Sequence, residues 1–318
     1  MISDVPFRRT VALLSSALLL VMSWAYFRFP HGNMLVATFA FLTSSLVVDV
    51  EGTANKIRLS LLMALYAAAA QFLVGITSEE NLLRPLAAAL FSFFTLATFP
   101  NRTGSCIILV VGYLACFAQG GTVPAVDRGI ELFFTIFIIL LVTFIAVHKG
   151  KTPAFSAPYS LSFSFLIASE LLLGHITALL LQLKQGPWVM LTILFIYQSV
   201  QKASSPEFLA RNRIFSVPLG IFLGGWYMSC FCYFDYRFTY IVPLIGALGF
   251  WILYNYGNYF LFSVIFMMTF TILADWQLGD YHSFYLWDFL FSRSFSTLLG
   301  VILVLGGEKF FIQEYKKA

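Results

Sequence analysis

Long apolar runs recur along almost the whole chain and are separated by short polar segments. The 318 residues are 60% hydrophobic and only 11% charged, and a soluble domain of this size would need far more polar residues to cover its surface. The runs are about 15 to 23 residues long, close to the length of helix that crosses a bilayer core. Because a backbone in lipid must satisfy its own hydrogen bonds, each run predicts a helix. The sequence therefore predicts an all-α polytopic membrane protein.

The apolar runs number about twelve, and they predict twelve transmembrane helices. They cover residues 10–27, 33–48, 59–76, 83–99, 105–120, 129–147, 161–183, 187–201, 213–234, 239–254, 258–275 and 294–312.

A polar segment rich in Pro and Ser, 148–160, follows the sixth run and is typical of a linker. It divides the chain into a first six-helix half, 1–150, and a second six-helix half, 151–318. Residues 32–38 also resemble residues 186–192. An even number of spans in each half predicts that the halves are parallel repeats.

The basic residues are distributed unequally between the two predicted faces of the membrane. If the spans alternate in direction, 13 of the 19 Lys and Arg residues fall on one side, which the positive-inside rule identifies as cytoplasmic. Both termini are then predicted to be cytoplasmic. The net charge of +4 follows from this bias and gives no argument for nucleic-acid binding. The six basic residues on the other side are Arg28, Arg84, Arg128, Lys184, Arg237 and Arg293.

Two segments of the second half share one pattern, an arginine followed by a glycine seven residues later. The pairs are Arg213 with Gly220 and Arg293 with Gly300. Seven residues are close to two helical turns, so each Arg and its Gly share a helix face. We expect Gly220, Gly224 and Gly300 to allow close helix packing. The predicted topology places Arg213 at the cytoplasmic entrance of the ninth span and Arg293 at the outer entrance of the twelfth, too far apart for one simple site.

The second half resembles the fusaric acid resistance, or aromatic acid exporter (FUSC), family of bacterial inner-membrane proteins. The family's Trp-containing span, polar loop and Arg-x-x-Gly-Thr-x-x-Gly helix are similar to 187–198 followed by 213–220. Its Asn-Tyr span start resembles Asn258-Tyr259, and its closing Arg-x-x-Asp-Thr-x-x-Gly motif resembles 293–300. The chain departs from the motifs at Ser216 and Val217, where the family has Gly-Thr, and at Ser296, where an Asp is common.

This resemblance implies a function in the bacterial inner membrane. It implies efflux of aromatic or other organic carboxylates, driven by proton entry and often accompanied by a periplasmic adaptor protein of the membrane-fusion type. Plant malate channels are distant relatives of the family, which leaves a passive organic-anion channel as the alternative. The oligomeric state stays open.

Two titratable residues lie deep in the seventh run, where charge is costly and therefore indicates function. Glu170 is predicted to bind and release the coupling proton, and His175 is a second proton-coupling candidate. Five residues of helix separate their side chains by about 140°, so they are not expected to meet. The alternative for Glu170 is an acid that only connects helices, and for His175 a hydrogen-bonded packing residue.

The substrate-binding candidates are arginines, aromatic residues and polar side chains of the second half. Guanidinium groups suit carboxylates, aromatic faces suit aromatic substrates, and amides and hydroxyls can orient polar groups. Structural alternatives are a cytoplasmic anchor for Arg213, a salt bridge from Arg293 to Asp288 or Asp275, and an interfacial belt for the aromatic residues. The candidates are Arg213, Arg293, Trp188, Tyr197, Gln198, Asn258, Tyr259 and Thr297.

The loops show no clustered His, Asp or nucleophilic residues of the kind that an active site requires. We therefore predict neither an enzyme nor a cofactor or metal site. A membrane enzyme, or an accessory subunit of an envelope assembly, is the third and less favoured class.

Overall fold

The computed structural model describes most of the chain from Val50 onward. The described residues are 42–43, 46–47, 50–76, 83–118, 133, 135–143, 153–183, 186–200, 206–232, 236–278 and 286–315. Of the predicted spans, 10–27 lies outside these residues and 33–48 is represented only by 42–43 and 46–47.

The described residues form helices joined by short connections, and the prediction of an all-helical protein is confirmed for them. Residues 135–143 are also helical. The count of twelve spans and the repeat of two halves stay predictions. The helices with both ends described are α1 (Thr53–Ile76), α2 (Leu83–Thr98), α3 (Arg102–Ala118), α4 (Leu161–Leu180), α5 (Pro187–Val200), α6 (Pro206–Tyr227), α7 (Val242–Tyr256), α8 (Tyr259–Leu278) and α9 (Leu286–Tyr315).

Three helical segments of the described chain are long and apolar enough to cross a membrane. They are Leu161–Leu180 in α4, Phe208–Phe231 in α6 with the π-helical turn that follows it, and Leu290–Gly307 in α9. α5 differs from them, because its 14 residues extend only about 21 Å. Residues 188–197 of α5 are all buried, since α3, α4, α6 and α9 all pack against this helix. α5 is therefore a short buried helix that is enclosed by four neighbouring helices.

α6 and α9 begin earlier than their apolar runs predict. The runs begin at 213 and 294, whereas the helices begin at Pro206 and Leu286. The prediction that these two helices begin at their arginines is therefore wrong. Arg213 and Arg293 each lie seven residues after the first residue of their helix, two turns inside it.

The glycines that follow these arginines lie against the backbone of neighbouring helices. A Cβ atom on Gly220 would be 2.5 Å from the Val264 carbonyl oxygen of α8, and one on Gly300 would be 2.7 Å from the Val189 carbonyl oxygen of α5. Gly224, one turn after Gly220, is similarly close to α8. A larger side chain at any of these positions would push two backbones apart. The Arg-Gly pattern thus positions each arginine by fixing the approach of its helix.

The end of the predicted linker packs firmly on the turn between α2 and α3. Asn101 donates a hydrogen bond to the Ala154 carbonyl oxygen at 3.0 Å, and Arg102 Nε donates to the Ala157 carbonyl oxygen at 3.2 Å. The Arg102 guanidinium also lies over the Tyr159 ring, 5.4 Å from its centroid. Residues 153–160 therefore connect the first part of the chain to α4 as an ordered segment.

Candidate functional site

The most deeply buried cation among the described residues is Arg293, in α9. Its side chain is 0% exposed. The guanidinium carbon lies over the Trp188 ring of α5, 4.4 Å from the ring centroid, and Nη1 donates a hydrogen bond to the Thr271 hydroxyl of α8 at 3.1 Å. A cation against an indole face is favourable, and the interaction strengthens when water is excluded. Three helices therefore hold one positive charge inside the bundle.

Hydroxyl groups line the same face of α9. Ser296 and Thr297 follow Arg293 by three and four residues, so they lie one turn along on its face. Both side chains are buried, and their hydroxyl oxygens have no hydrogen-bond partner among the described residues. Because nearly all buried polar groups are hydrogen-bonded, two such hydroxyls beside a cation indicate a place for a polar ligand.

Aromatic rings connect the two arginines that the sequence analysis placed apart. The Arg213 guanidinium carbon lies 4.8 Å from the centroid of the Phe195 ring. Phe195 contacts Phe270 edge-on, with centroids 6.1 Å apart, and Phe270 contacts Trp188 at 5.7 Å. We call Trp188, Phe195, Phe270 and the adjacent Phe266 the aromatic ladder.

The aromatic ladder places one arginine at each of its ends. Trp188 and Phe195 are seven residues apart on α5, which corresponds to one helix face and about 10 Å along the axis. Arg213 and Arg293 therefore contact two levels of one aromatic surface. The prediction was that they lie too far apart for one simple site. The structure adds that rings of α5 and α8 connect their two positions.

Glu170 is buried where α4 meets α5 and α9. Its side chain is 4% exposed, and Oε1 accepts a hydrogen bond from the Tyr197 hydroxyl at 2.9 Å. Oε1 also lies directly against Gly307 of α9, in a space that a methyl group on that glycine would fill. Tyr197 was predicted as a substrate-binding residue, and the structure shows that its hydroxyl contacts the carboxyl group of Glu170.

His175 lies away from Glu170, as the helical spacing predicts. Its side chain is 9% exposed, and its Nδ1 atom is buried without a hydrogen-bond partner among the described residues. The positive charge of Arg84 on α2 acts on the imidazole. The two proton-coupling candidates therefore have different surroundings. Glu170 accepts a hydrogen bond from a tyrosine, whereas His175 is influenced by the charge of an arginine.

The remaining candidates have separate positions or fall outside the described side chains. Asn258 is exposed and caps α8, since its Oδ1 atom accepts a hydrogen bond from the Leu261 amide at 3.0 Å. Tyr259 is partly buried in the first turn of the same helix. The side chains of Gln198, Asp275 and Asp288 lie outside the described residues, and so does the proposed salt bridge of Arg293 with either acid.

Several residues that make these contacts were not predicted from the sequence. Thr271, Phe195 and Phe270 contact the arginines or each other, and Arg84 acts on His175. The spacing of Trp188 and Phe195 at seven residues was a usable signal for the ladder. The others lie on different helices, and nothing in the sequence connects them.

A helical membrane protein with buried ionisable groups in its interior belongs to a class in which such groups mark substrate and ion pathways. Residues 167–306, which include α5, α6, the aromatic ladder, both arginines and Glu170, match the sequence model of the fusaric acid resistance protein-like family. The resemblance to that family is thereby confirmed over this segment, and it indicates membrane transport. No curated protein and no solved structure matches the chain.

Proposed function

We propose that this protein exports organic carboxylates, aromatic ones among them, across the bacterial inner membrane, and that proton entry drives the export. The observation that carries the proposal is Arg293, a fully buried cation with an indole face on one side and hydroxyl groups along its helix. A charge buried so deep among membrane helices is rare, and such charges commonly mark the pathway of a substrate or an ion.

The chemistry around Arg293 suits an aromatic acid. A guanidinium group presents donors in a planar fork that matches a carboxylate. The hydroxyls of Ser296 and Thr297 can donate further hydrogen bonds to the same group. Trp188 and Phe270 offer ring faces and edges for a planar substrate, in the edge-on arrangement that aromatic pairs favour. The rings of the aromatic ladder would then contact the substrate as it moves between Arg293 and Arg213.

Glu170 is the group proposed to take up the coupling proton. It is separated from Arg293 by α5, because Trp188 and Tyr197 are nine residues apart and so point to opposite sides of that helix. A proton on Glu170 changes its hydrogen bond with Tyr197 and its contact with Gly307, and Gly307 lies on the helix that carries Arg293. Protonation and anion binding would therefore both act on α9.

Anion binding is tested by substituting Arg293 in protein reconstituted into liposomes. Uptake of radiolabelled benzoate into these liposomes is expected to fall at least about tenfold for Arg293→Gln, since a charge-assisted hydrogen bond contributes roughly 1.5 to 3 kcal/mol. Arg293→Lys keeps the charge but loses the fork, and should lie between the two. Arg211→Gln is the matched control, because Arg211 is exposed on α6. Wild-type rates in a folded Arg293→Gln variant would refute the proposal.

Coupling is tested separately, and the test also distinguishes an exporter from a passive anion channel. Glu170→Gln cannot release a proton, so an imposed pH gradient should no longer drive benzoate accumulation, while downhill exchange continues. Glu51→Gln is the control, since Glu51 is exposed. If Glu170→Gln transports against a gradient as well as the wild type does, Glu170 has no part in coupling. If wild-type flux is itself independent of the pH gradient, the channel is the better description.

A further inference from the structure

Arg84 presents one complete edge of its guanidinium group to the protein interior. Arg84 is the second residue of α2 and is partly buried. Its Nε and Nη2 atoms are both inaccessible to solvent, and neither has a hydrogen-bond partner among the described residues. These two neighbouring nitrogens form the pair of parallel donors that a carboxylate accepts in a bidentate contact.

A buried imidazole accompanies this edge. α2 packs against α4, and Arg84 lies close enough to His175 of α4 for its charge to act on the ring. His175 Nδ1 is also buried and has no hydrogen-bond partner among the described residues. The preceding residue, Gly174, contacts Val189 and Leu303 on α5 and α9. One residue of helix turns by about 100°, so His175 points to a different side of α4 from Gly174.

Three nitrogens at one helix contact are thus buried and unsatisfied within the described part of the chain. Buried polar groups in proteins nearly always have partners, and leaving a charged one without a partner is especially unfavourable. The Arg84 guanidinium is always charged, and a carboxylate is the ligand that can accept from both of its buried donors at once. Within the described residues, the buried edge of Arg84 therefore has no acceptor, and His175 Nδ1 beside it has no hydrogen-bond partner.

We infer that Arg84 and His175 form a second anion subsite, which binds the carboxylate group of an organic acid at the contact of α2 with α4. The inference rests on the proposed function, because it assumes that carboxylates are the transported ligands. The position supports it. α2 belongs to the first half of the chain and α4 to the second, and substrate sites of transporters commonly lie between two halves. The predicted topology puts Arg84 on the outer side, where an exported anion leaves.

The subsite is tested by the stoichiometry of benzoate binding to the full chain in phosphatidylcholine nanodiscs, measured by calorimetry. The wild type should bind two benzoate ions per chain. Arg84→Gln and Arg293→Gln should each bind one, and the exposed-site control Arg211→Gln should bind two. Arg84→Lys, which keeps the charge and so protects the fold, should bind the second benzoate at least about tenfold more weakly, because it lacks the fork.

The outcomes separate this inference from the proposed function. One benzoate per chain in the wild type, unchanged in Arg84→Gln and lost in Arg293→Gln, would overturn the subsite and leave the proposed function intact. No benzoate binding in the wild type would overturn both. The same titration in phosphatidylglycerol nanodiscs tests a lipid phosphate as the source of the anion. If Arg84→Gln reduces only the retention of phosphatidylglycerol and leaves benzoate binding unchanged, the site binds a lipid headgroup and the inference is wrong.

Discussion

Replacement of Gly220 by alanine is expected to separate α6 from α8. The new methyl group would lie 2.5 Å from the Val264 carbonyl oxygen and 2.7 Å from Met267 Cβ, whereas ordinary contact begins at 3.4 Å. Neither atom can rotate away, since one is backbone and the other is the first side-chain carbon. α6 must therefore move outward by about 0.9 Å at this point, a gap that removes a quarter to a half of the dispersion energy of each affected contact.

The free energy of this change follows from the contacts that the movement breaks. Overpacking of a close interface costs about 1 to 3 kcal/mol. The buried hydrogen bond from Ser216 to Ser263, one turn away and 2.8 Å long, would be stretched beyond its range, with a loss of about 0.5 to 1.5 kcal/mol. Alanine recovers at most about 1 kcal/mol through its better helix propensity. The expected net loss for Gly220→Ala is about 0.5 to 4.5 kcal/mol of unfolding free energy.

The measurement is reversible unfolding of the purified protein in mixed micelles, with Gly306→Ala as the control. A Cβ atom on Gly306 would meet nothing within 4 Å, so this variant should be as stable as the wild type or slightly more stable. Because α6 carries Arg213, Gly220→Ala should also weaken benzoate transport. Equal stability of Gly220→Ala and Gly306→Ala would show that the close approach of α6 and α8 is not a feature of the folded protein, and the packing argument would fail.

Other substitutions test the groups around Glu170 and the start of α8. Gly307→Ala places a methyl group where the Glu170 carboxyl group lies, so this variant should lose proton-driven transport. The neighbouring variant Gly306→Ala is the control and should keep it. Equal transport by the two variants would contradict the contact between Gly307 and Glu170. Tyr197→Phe removes the donor to Glu170 and should move the pH midpoint of transport, with an unmoved midpoint as the contrary result. Asn258→Ala should lower the unfolding free energy by about 1 kcal/mol, because it removes the side chain that caps α8. Asn258→Asp is the control, since an aspartate can still accept the hydrogen bond from the Leu261 amide. If both variants unfold alike, the cap does not stabilise the protein.

The helices were predictable because their signal is local. A run of about 20 apolar residues matches the thickness of a bilayer core when it is helical, and a helix satisfies its own backbone hydrogen bonds in lipid. The runs at 161–183 and 187–201 accordingly correspond closely to α4 and α5. The starts of α6 and α9 were missed for a physical reason. The length of an apolar run reflects the thickness of the hydrocarbon core of the bilayer. A helix can continue beyond that run into polar residues as long as its backbone hydrogen bonds are satisfied. Arg213 and Arg293 consequently lie inside helices and not at their entrances.

The site was predictable only in its parts. Arg293 and Glu170 stood out because charge is rare in apolar sequence, and the family resemblance directed attention to Trp188. Which residues contact them could not be predicted. Thr271 and Trp188 are far from Arg293 in the sequence, and they meet it only because Gly300 lets α9 approach the backbone of α5.

The sequence by itself thus determined that this chain forms membrane helices, which residues in them carry charge, and which family its second half resembles. These are properties of composition and short spacing, and they do not depend on how the helices are arranged. The tertiary structure decided that Arg213 and Arg293 contact the same aromatic ladder and that the Tyr197 hydroxyl donates to Glu170. It also decided that Arg84 and His175 lie on two helices that pack together. Each of these contacts depends on the rotation and separation of two helices, and those are set by small residues such as Gly220, Gly300 and Gly307 through packing that acts across the whole bundle.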